Sequence, residues 1–230
     1  MLVHRHDTVD STQRVARDLA WTGAPHGTVV LAERQSAGRG RMDRTWSSEP
    51  GLDLTFSVIL RPGGRLAEAP LLTLGAAAGL AEALDLRVKW PNDVVTPAGH
   101  KVAGLLAEVE GAGHEDRVLY VILGVGLNVN RRDFGGLPSA TSLALHIGRD
   151  QDRDEVLTRA HAGLLAGAEP EGRLARWRRL AHTIGQHVTI HGTSRGTVSG
   201  MATGLRDDGA LLVGGVAVTT GEIALVRELD

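Results

Sequence analysis

A change of texture at Gly185 constrains this chain more than any other feature. From there, five short β-prone runs at residues 188–191, 195–205, 210–213, 216–219 and 223–226 are separated by Gly and Asp turns. They read as a small all-β unit. At about 45 residues such a unit is marginal alone, so it is expected to pack on the larger part. The 230 residues then divide into a first domain at 1–183 and a small β domain at 184–230.

The larger part mixes helical and strand patterns, with no internal repeat and no low-complexity linker. Asp10-Ser11-Thr12 is a helix start, followed by an apolar stripe of Val15, Leu19 and Ala20 running to Trp21. Residues 28–32 form a short strand, 54–60 a mostly buried one, and 69–84 an Ala- and Leu-rich helix. Residues 87–90 are a strand stopped by Pro91-Asn92-Asp93, which is turn chemistry. Residues 102–109 and 119–129 form a strand pair joined through Gly111-Ala112-Gly113, and 153–167 and 172–182 are helices. The expected architecture is α+β: a mixed or antiparallel sheet with flanking helices, then a small β-barrel.

Composition removes several functions. The chain has no Cys, which excludes a disulfide framework, a thiolate metal site and a cysteine nucleophile. The His residues form no ligand pattern with a nearby acid, so no structural metal is expected. His4 and His6 lie in a strand-like start and read as exposed. The start lacks the apolar run of a secretory signal, and residues 71–84 are too short to span a membrane. A cytoplasmic protein is expected. A net charge of −2 argues against a general nucleic-acid binder. With aromatics at 3%, a stacking platform for single strands is disfavoured as well.

Five segments carry chemistry. In Gln35-Ser36-Ala37-Gly38-Arg39-Gly40-Arg41-Met42-Asp43-Arg44-Thr45-Trp46, two glycines alternate with two arginines and a third Arg follows. Gly lets backbone approach a ligand, and Arg offers paired donors to carboxylate or phosphate. The segment reads as an anion clamp or as a solvated Arg-Gly loop, and it matches neither common nucleotide-loop motif. Lys89-Trp90-Pro91-Asn92-Asp93 ends a strand in a Pro-fixed turn. It suits a sugar hydroxyl or hydrated Mg²⁺, or is an ordinary Asx turn.

In Lys101-Val102-Ala103-Gly104 a lysine starts an apolar strand. Only Lys89 and Lys101 are Lys among 25 basic residues, so each is a suspect for a specific need. A compact ammonium reaches narrow pockets that a guanidinium cannot enter. Gly124-Val125-Gly126-Leu127-Asn128 leaves space on one strand face for a flat ligand, and Asn128 can pair with an adenine edge. The alternative there is a β-bulge with a satisfied turn Asn. Ser11-Thr12-Gln13 reads by default as a helix cap.

Together and in this order, these segments resemble the biotin–protein ligases. The matching residues are Ser11-Thr12, the loop from Gln35 to Trp46 with its G-R-G-R-x-x-R-x-W form, Lys89-Trp90-Pro91-Asn92-Asp93, Lys101-x-x-Gly104 and Gly124-x-Gly126-x-Asn128. The resemblance covers residues 8–130, and the β unit fits the family's small SH3-like C-terminal domain. It implies a class II synthetase-like fold and a two-step reaction. Biotin is activated by MgATP to biotinyl-5′-adenylate, then passed to a lysine of a carrier domain.

The resemblance also implies roles. Biotin would be held by Ser11, Thr12, Gln13 and Gln35, by Gly38, Arg39, Gly40, Arg41 and Trp46 of the loop, and by Lys101, Gly104 and Gly124. ATP or AMP would meet Arg41, Arg44, Lys89, Trp90, Asn92, Asp93, Lys101, Gly126 and Asn128. Lys101, Arg39, Arg41 and Arg44 would be catalytic, and Asp93 would meet the Mg²⁺ carried by ATP. The partner would be a biotin carboxyl carrier domain of a biotin-dependent carboxylase. No DNA or membrane partner is expected, and the chain would act as a monomer or homodimer.

Some relatives carry an N-terminal DNA-reading module, but only ten residues precede Ser11 here, so no repressor activity is expected. Residues 131–142 lack the Trp that some relatives place over the adenine. The nearest alternatives are an adenylating lipoate–protein ligase and a non-catalytic biotin or nucleotide binding module. The first would not be expected to carry G-R-G-R-x-x-R-x-W, and the second would have no use for Lys101.

Overall fold

The computed structural model describes residues 1–42, 44–111 and 116–225. The expected turn at Gly111-Ala112-Gly113 falls partly outside them, as does the strand end at Val226. A seven-stranded sheet has the order β1-β2-β3-β7-β6-β5-β4. Its strands are β1 (Val3–Val9), β2 (Val29–Gln35), β3 (Leu54–Leu60), β4 (Arg87–Lys89), β5 (Asp93–Val95), β6 (Lys101–Gly111) and β7 (Val118–Leu127). Only β1 and β2 pair in parallel; the other neighbours are antiparallel. The mixed sheet is as expected, and the Pro91-Asn92-Asp93 turn joins a hairpin, with Lys89 opposite Asp93.

Side chains alternate between the two faces of a strand. On β7, Val121, Leu123, Val125 and Leu127 join the main core. That core lies under α2 (Ala69–Ala83), α4 (Arg153–Ala168) and α5 (Arg173–Leu180). Tyr120 and Ile122 turn the other way and pack on Ala16 and Ala20 of α1 (Thr12–Trp21). The next two positions on the α1 face are Gly124 and Gly126. Opposite them, β3 offers Ser57 and Thr55, and β6 offers Leu106 and Gly104. The α1 face therefore runs from packed apolar residues into small and polar ones, and a hollow opens there.

The buried positions of α1 are Thr12, Gln13, Ala16 and Ala20, while Val15 and Leu19 are half-buried. The helix thus turns its polar start, not its largest apolar side chains, toward the sheet. His4 and His6 are half-buried rather than exposed; they alternate with exposed residues of β1. A short α3 (Leu143–Ile147), capped by Ser142, was not expected. Between α2 and α4 the backbones touch. A Cβ on Gly75 or Gly79 would overlap the carbonyl of Gly167 or Gly163, and the reverse holds for Gly163 and Gly167.

The second sheet has the order β11-β10-β9-β8-β12 and is antiparallel throughout. It comprises β8 (His187–Thr193), β9 (Gly196–Leu205), β10 (Leu211–Val213), β11 (Val216–Val218) and β12 (Glu222–Leu225). The small β unit is thus present. Among the described residues β11 and β12 stay unpaired edges, so the ladder does not close into a barrel; β10 and β11 have only three residues each.

Val188, Ile190, Ala202 and Leu211 belong to the same core as the large sheet. Trp90 fastens the two parts: its backbone N–H donates to Thr183 Oγ1 at 2.9 Å and its Nε1 to the Gly209 carbonyl at 3.2 Å. Among the described residues no helix is long and apolar enough to cross a membrane.

Candidate active site

The hollow on the α1 face is a cavity of about 470 Å³, a size usual for small-molecule sites. Its walls are the start of α1, the 39–47 loop, the β4–β5 turn, residues of the 131–140 segment, and Glu222 and Ile223 of the second sheet.

One end is a network of neutral polar groups. The Thr12 backbone N–H donates to Gln35 Oε1 at 2.8 Å, and the Thr12 hydroxyl donates to the same oxygen at 3.1 Å. The Ser57 hydroxyl donates to Thr12 Oγ1 at 2.9 Å. Gln13 Nε2 donates to the Leu106 carbonyl at 3.1 Å. Gly124 makes the room for this, since a Cβ there would lie 2.8 Å from Gln13 Cδ.

The other end is cationic. Lys101 begins β6, and its Nζ lies 2.6 Å from Asp93 Oδ1. Gly104 lets the ammonium lie along the strand; a Cβ there would be 3.1 Å from Nζ. Asn92 accepts from Arg41 Nη1 at 3.1 Å through Oδ1 and donates from Nδ2 to the Leu105 carbonyl at 2.7 Å. Burial pushes the Arg41 guanidinium below its ordinary value, against the pull of Asp93 and Glu222. Burial also pushes the Lys89 ammonium down, with Asp93 opposing and Lys101 reinforcing. Arg41, Lys89 and Lys101 thus meet Asp93 and Glu222, and the surplus positive charge suits an anionic ligand.

Trp46 lies between the two ends, 5.7 Å from Lys101 Nζ to its ring centroid. Its Nε1 is buried without a protein partner, and so is Thr55 Oγ1. Both residues line the cavity with other atoms. Among the described residues no group of three or more His, Cys, Asp or Glu side chains is placed to hold a metal ion.

The structure brings seventeen of the expected residues to this cavity: Thr12, Gln13, Gln35, Arg39, Gly40, Arg41, Arg44, Trp46, Lys89, Trp90, Asn92, Asp93, Lys101, Gly104, Gly124, Gly126 and Asn128. Ser11 and Gly38 do not line it. Ser11 holds the α1 cap position, where its N–H is taken by the Asp10 carboxylate at 2.7 Å and its hydroxyl makes no capping bond. Gly38 serves the loop's own closure. Its carbonyl accepts from Trp46 N–H at 3.1 Å, and a Cβ would lie 2.6 Å from the Trp46 carbonyl oxygen.

Two arginines at the cavity are already engaged by carboxylates. Arg39 pairs with Glu108, which also takes Arg17, and Arg44 pairs with Glu222 at 2.6 Å. Asn128 Nδ2 donates to the Thr141 carbonyl at 2.9 Å, which leaves Oδ1 and the second amide N–H without a protein partner among the described residues.

Sequence reasoning missed Thr55, Ser57, Arg131, Phe134 and Leu137. Thr55 and Ser57 sit in an apolar strand, and only the register of β3 against Gly126 and Gly124 gives them meaning. Phe134 is a lone aromatic in an irregular segment; its ring is 5.3 Å from the Arg131 guanidinium.

Residues 6–128 match the model of the biotin/lipoate A/B protein ligase family, and residues 183–226 match that of the biotin protein ligase C terminal domain. The chain is 39% identical over 226 residues to the bifunctional ligase/repressor BirA of Bacillus subtilis, spanning 90% of this chain and 68% of that protein. It is 34% identical over 255 residues to the biotin–[acetyl-CoA-carboxylase] ligase of Mycobacterium tuberculosis, spanning 96% and 89%. Among solved structures, the biotin protein ligase of Aquifex aeolicus in complex with biotin and ATP superposes with a TM-score of 0.77 at 30% identity, covering 99% of each chain.

Proposed function

The chain belongs to the biotin/lipoate A/B protein ligase family, and we propose that it acts as a biotin–[acetyl-CoA-carboxylase] ligase, as its relatives are named. The observation that carries this reading is the two-ended cavity. A neutral hydrogen-bonding network (Thr12, Gln35) and a cation cluster (Arg41, Lys89, Lys101) line one cavity.

Gln35 Oε1 is filled by the two Thr12 donors, so Gln35 Nε2 remains to donate to a ligand carbonyl. Thr12 Oγ1 accepts from Ser57 and keeps a second lone pair for a ligand N–H. An N–H beside a C=O is what the ureido ring of biotin offers. The dithiolane of lipoate offers neither, and leaving such groups unpaired costs about 1–3 kcal/mol.

At the other end the biotin carboxylate oxygen attacks the α-phosphorus of ATP. The bond to the β-phosphate oxygen breaks and pyrophosphate leaves. Two anions must approach, and Arg41, Lys89 and Lys101 offset their repulsion most where charge is concentrated in the transition state. Mg²⁺ would arrive with ATP, held mainly by phosphate oxygens as Mg²⁺ usually is, with Asp93 as the candidate protein carboxylate. The adenine is read as lying against Trp46 and Phe134, its amino group donating to Asn128 Oδ1.

In the second step the ε-amine of a carrier-domain lysine attacks the acyl carbon and AMP leaves. We take residues 1–183 as the catalytic domain and 184–230 as the small domain, working in the cytoplasm as a monomer or homodimer. The deciding experiment is pyrophosphate release from ATP: release with biotin supports the proposal, and release with lipoate but not biotin overturns it.

A further inference from the structure

Ser57 has no contact open to a ligand. It is 0% exposed, does not line the cavity, and lies beneath Thr12 on the central strand β3. Its hydrogen-bond direction is nevertheless forced. The Thr12 backbone N–H needs an acceptor, which fixes oxygen rather than nitrogen of the Gln35 amide at 2.8 Å. That oxygen carries no proton, so the Thr12 hydroxyl at 3.1 Å must donate to it. A hydroxyl has one proton. The remaining bond, at 2.9 Å, must therefore run from the Ser57 hydroxyl to Thr12 Oγ1.

We propose that Ser57 is a positioning residue that holds in place the acceptor which the cavity's neutral end offers a ligand. It holds the Thr12 hydroxyl with its proton toward Gln35 and its free lone pair toward the ligand. This rests on the biotin reading and deepens it, because an acceptor fixed at that end is what the N–H of a ureido ring would meet. Without Ser57, the Thr12 hydroxyl is free to turn its proton into the cavity. Only its single bond to Gln35 Oε1 then opposes that rotation, and Gln35 Oε1 keeps the Thr12 N–H in either case.

The test compares biotin with 2-iminobiotin, in which a protonated imine replaces the carbonyl and every polar group of the ring is a donor. Ser57→Ala and Ser57→Cys are assayed by pyrophosphate release with each ligand, and their urea midpoints are recorded. Ser57→Ala is expected to raise the KM for biotin roughly three- to tenfold, the scale of one neutral hydrogen bond, with kcat within about twofold. The ring N–H that meets Thr12 is common to both ligands, so 2-iminobiotin should lose affinity by a similar factor. Ser57→Cys, with a weak S–H donor, should fall between parent and Ser57→Ala. An unchanged KM, or a loss confined to biotin, which would place the effect at the carbonyl and Gln35, overturns the role of Ser57. If the parent chain releases no pyrophosphate with biotin, the functional assignment itself fails, and this inference with it.

Discussion

Trp46 occupies the space that Gly126 leaves open: a Cβ on Gly126 would overlap the indole at Cε2, Cζ2 and Nε1. The glycine is small for the sake of the protein's own side chain, and that side chain in turn forms a wall of the cavity. Gly126→Ala must expel Trp46, which sits on a loop and can swing away. The fold should survive with a change of about 1 kcal/mol or less, whereas the KM for ATP should rise about tenfold or more. Trypsin should cut more readily at Arg39, Arg41 and Arg44. A Gly126→Ala protein with parental KM and cleavage rate would show that Trp46 is not part of the working site.

The Gly124-x-Gly126 spacing shows how far the sequence alone reached. Alternation on a strand already implied a free face, because residues two apart point the same way. It could not tell whether a ligand or another part of the chain fills the space; Gln13 and Trp46 do. The charged and glycine-rich segments were legible because few residue types do their work. Ser57 and Thr55 were not, since a hydroxyl in a run such as Leu54–Leu60 looks like ordinary strand chemistry until register places it opposite a glycine. The ties of Arg39 to Glu108 and Arg44 to Glu222 were equally hidden, because they join elements far apart in the chain. The small β domain was legible as strands, but barrel closure depends on edge pairing that no local pattern encodes.

Lys101 lies 2.6 Å from Asp93 with both side chains partly exposed, so the pair contributes little to stability. Lys101→Ala should keep its melting temperature within a few degrees while slowing adenylate formation by about 10²–10³, the scale for one electrostatic donor. Single-turnover measurement of biotinyl-AMP is the check. Loss below about fivefold would remove Lys101 from the chemistry.

Burial holds the Lys89 ammonium below the ordinary lysine value, and the sign of its pH dependence follows. As pH rises, Lys89 loses its proton before an ordinary lysine does, and its attraction for phosphate goes with it. The KM for ATP should therefore climb through the window between that lowered value and 10.5. Stability moves oppositely, because the unfolded chain binds the proton more tightly there and the folded state gains as pH rises. Lys89→Arg, which stays charged, should flatten the KM profile. An unchanged profile would show that Lys89 does not meet the nucleotide.

Arg131 ties the segment beside the cavity to the loop before β3. It donates to the Asp133 carbonyl at 2.9 Å and the Ser47 carbonyl at 3.3 Å, and lies 3.8 Å from the Asp53 carboxylate. Asp53 is 4% exposed, and burial pushes its carboxyl above the ordinary value, so Arg131 also offsets a buried charge. Arg131→Met should cost about 1–3 kcal/mol of stability. It should raise the KM for ATP by about three- to tenfold as Phe134 loses its cationic partner, and leave the KM for biotin within twofold. Equal effects on both substrates would mean that Arg131 acts on stability alone.

Glu108 is shared by Arg17 of α1 and Arg39 of the loop. The bond to Glu108 offsets the Arg39 charge and fixes where its guanidinium lies, so Glu108 competes with biotin for Arg39. Both arginines are about half exposed, so each pair is worth about 1 kcal/mol or less. Glu108→Gln removes the competing charge at little cost to the fold. If Arg39 turns inward to hold the biotin carboxylate, the variant should bind biotin about two- to fivefold tighter in calorimetry, with the gain shrinking at high salt. Adding Arg39→Ala should abolish the difference between the parent and the Glu108→Gln variant, a coupling that a double-mutant cycle measures directly. Weaker binding by Glu108→Gln would instead mean that the pair holds Arg39 in its working position, and that the loop closes on biotin with this contact intact.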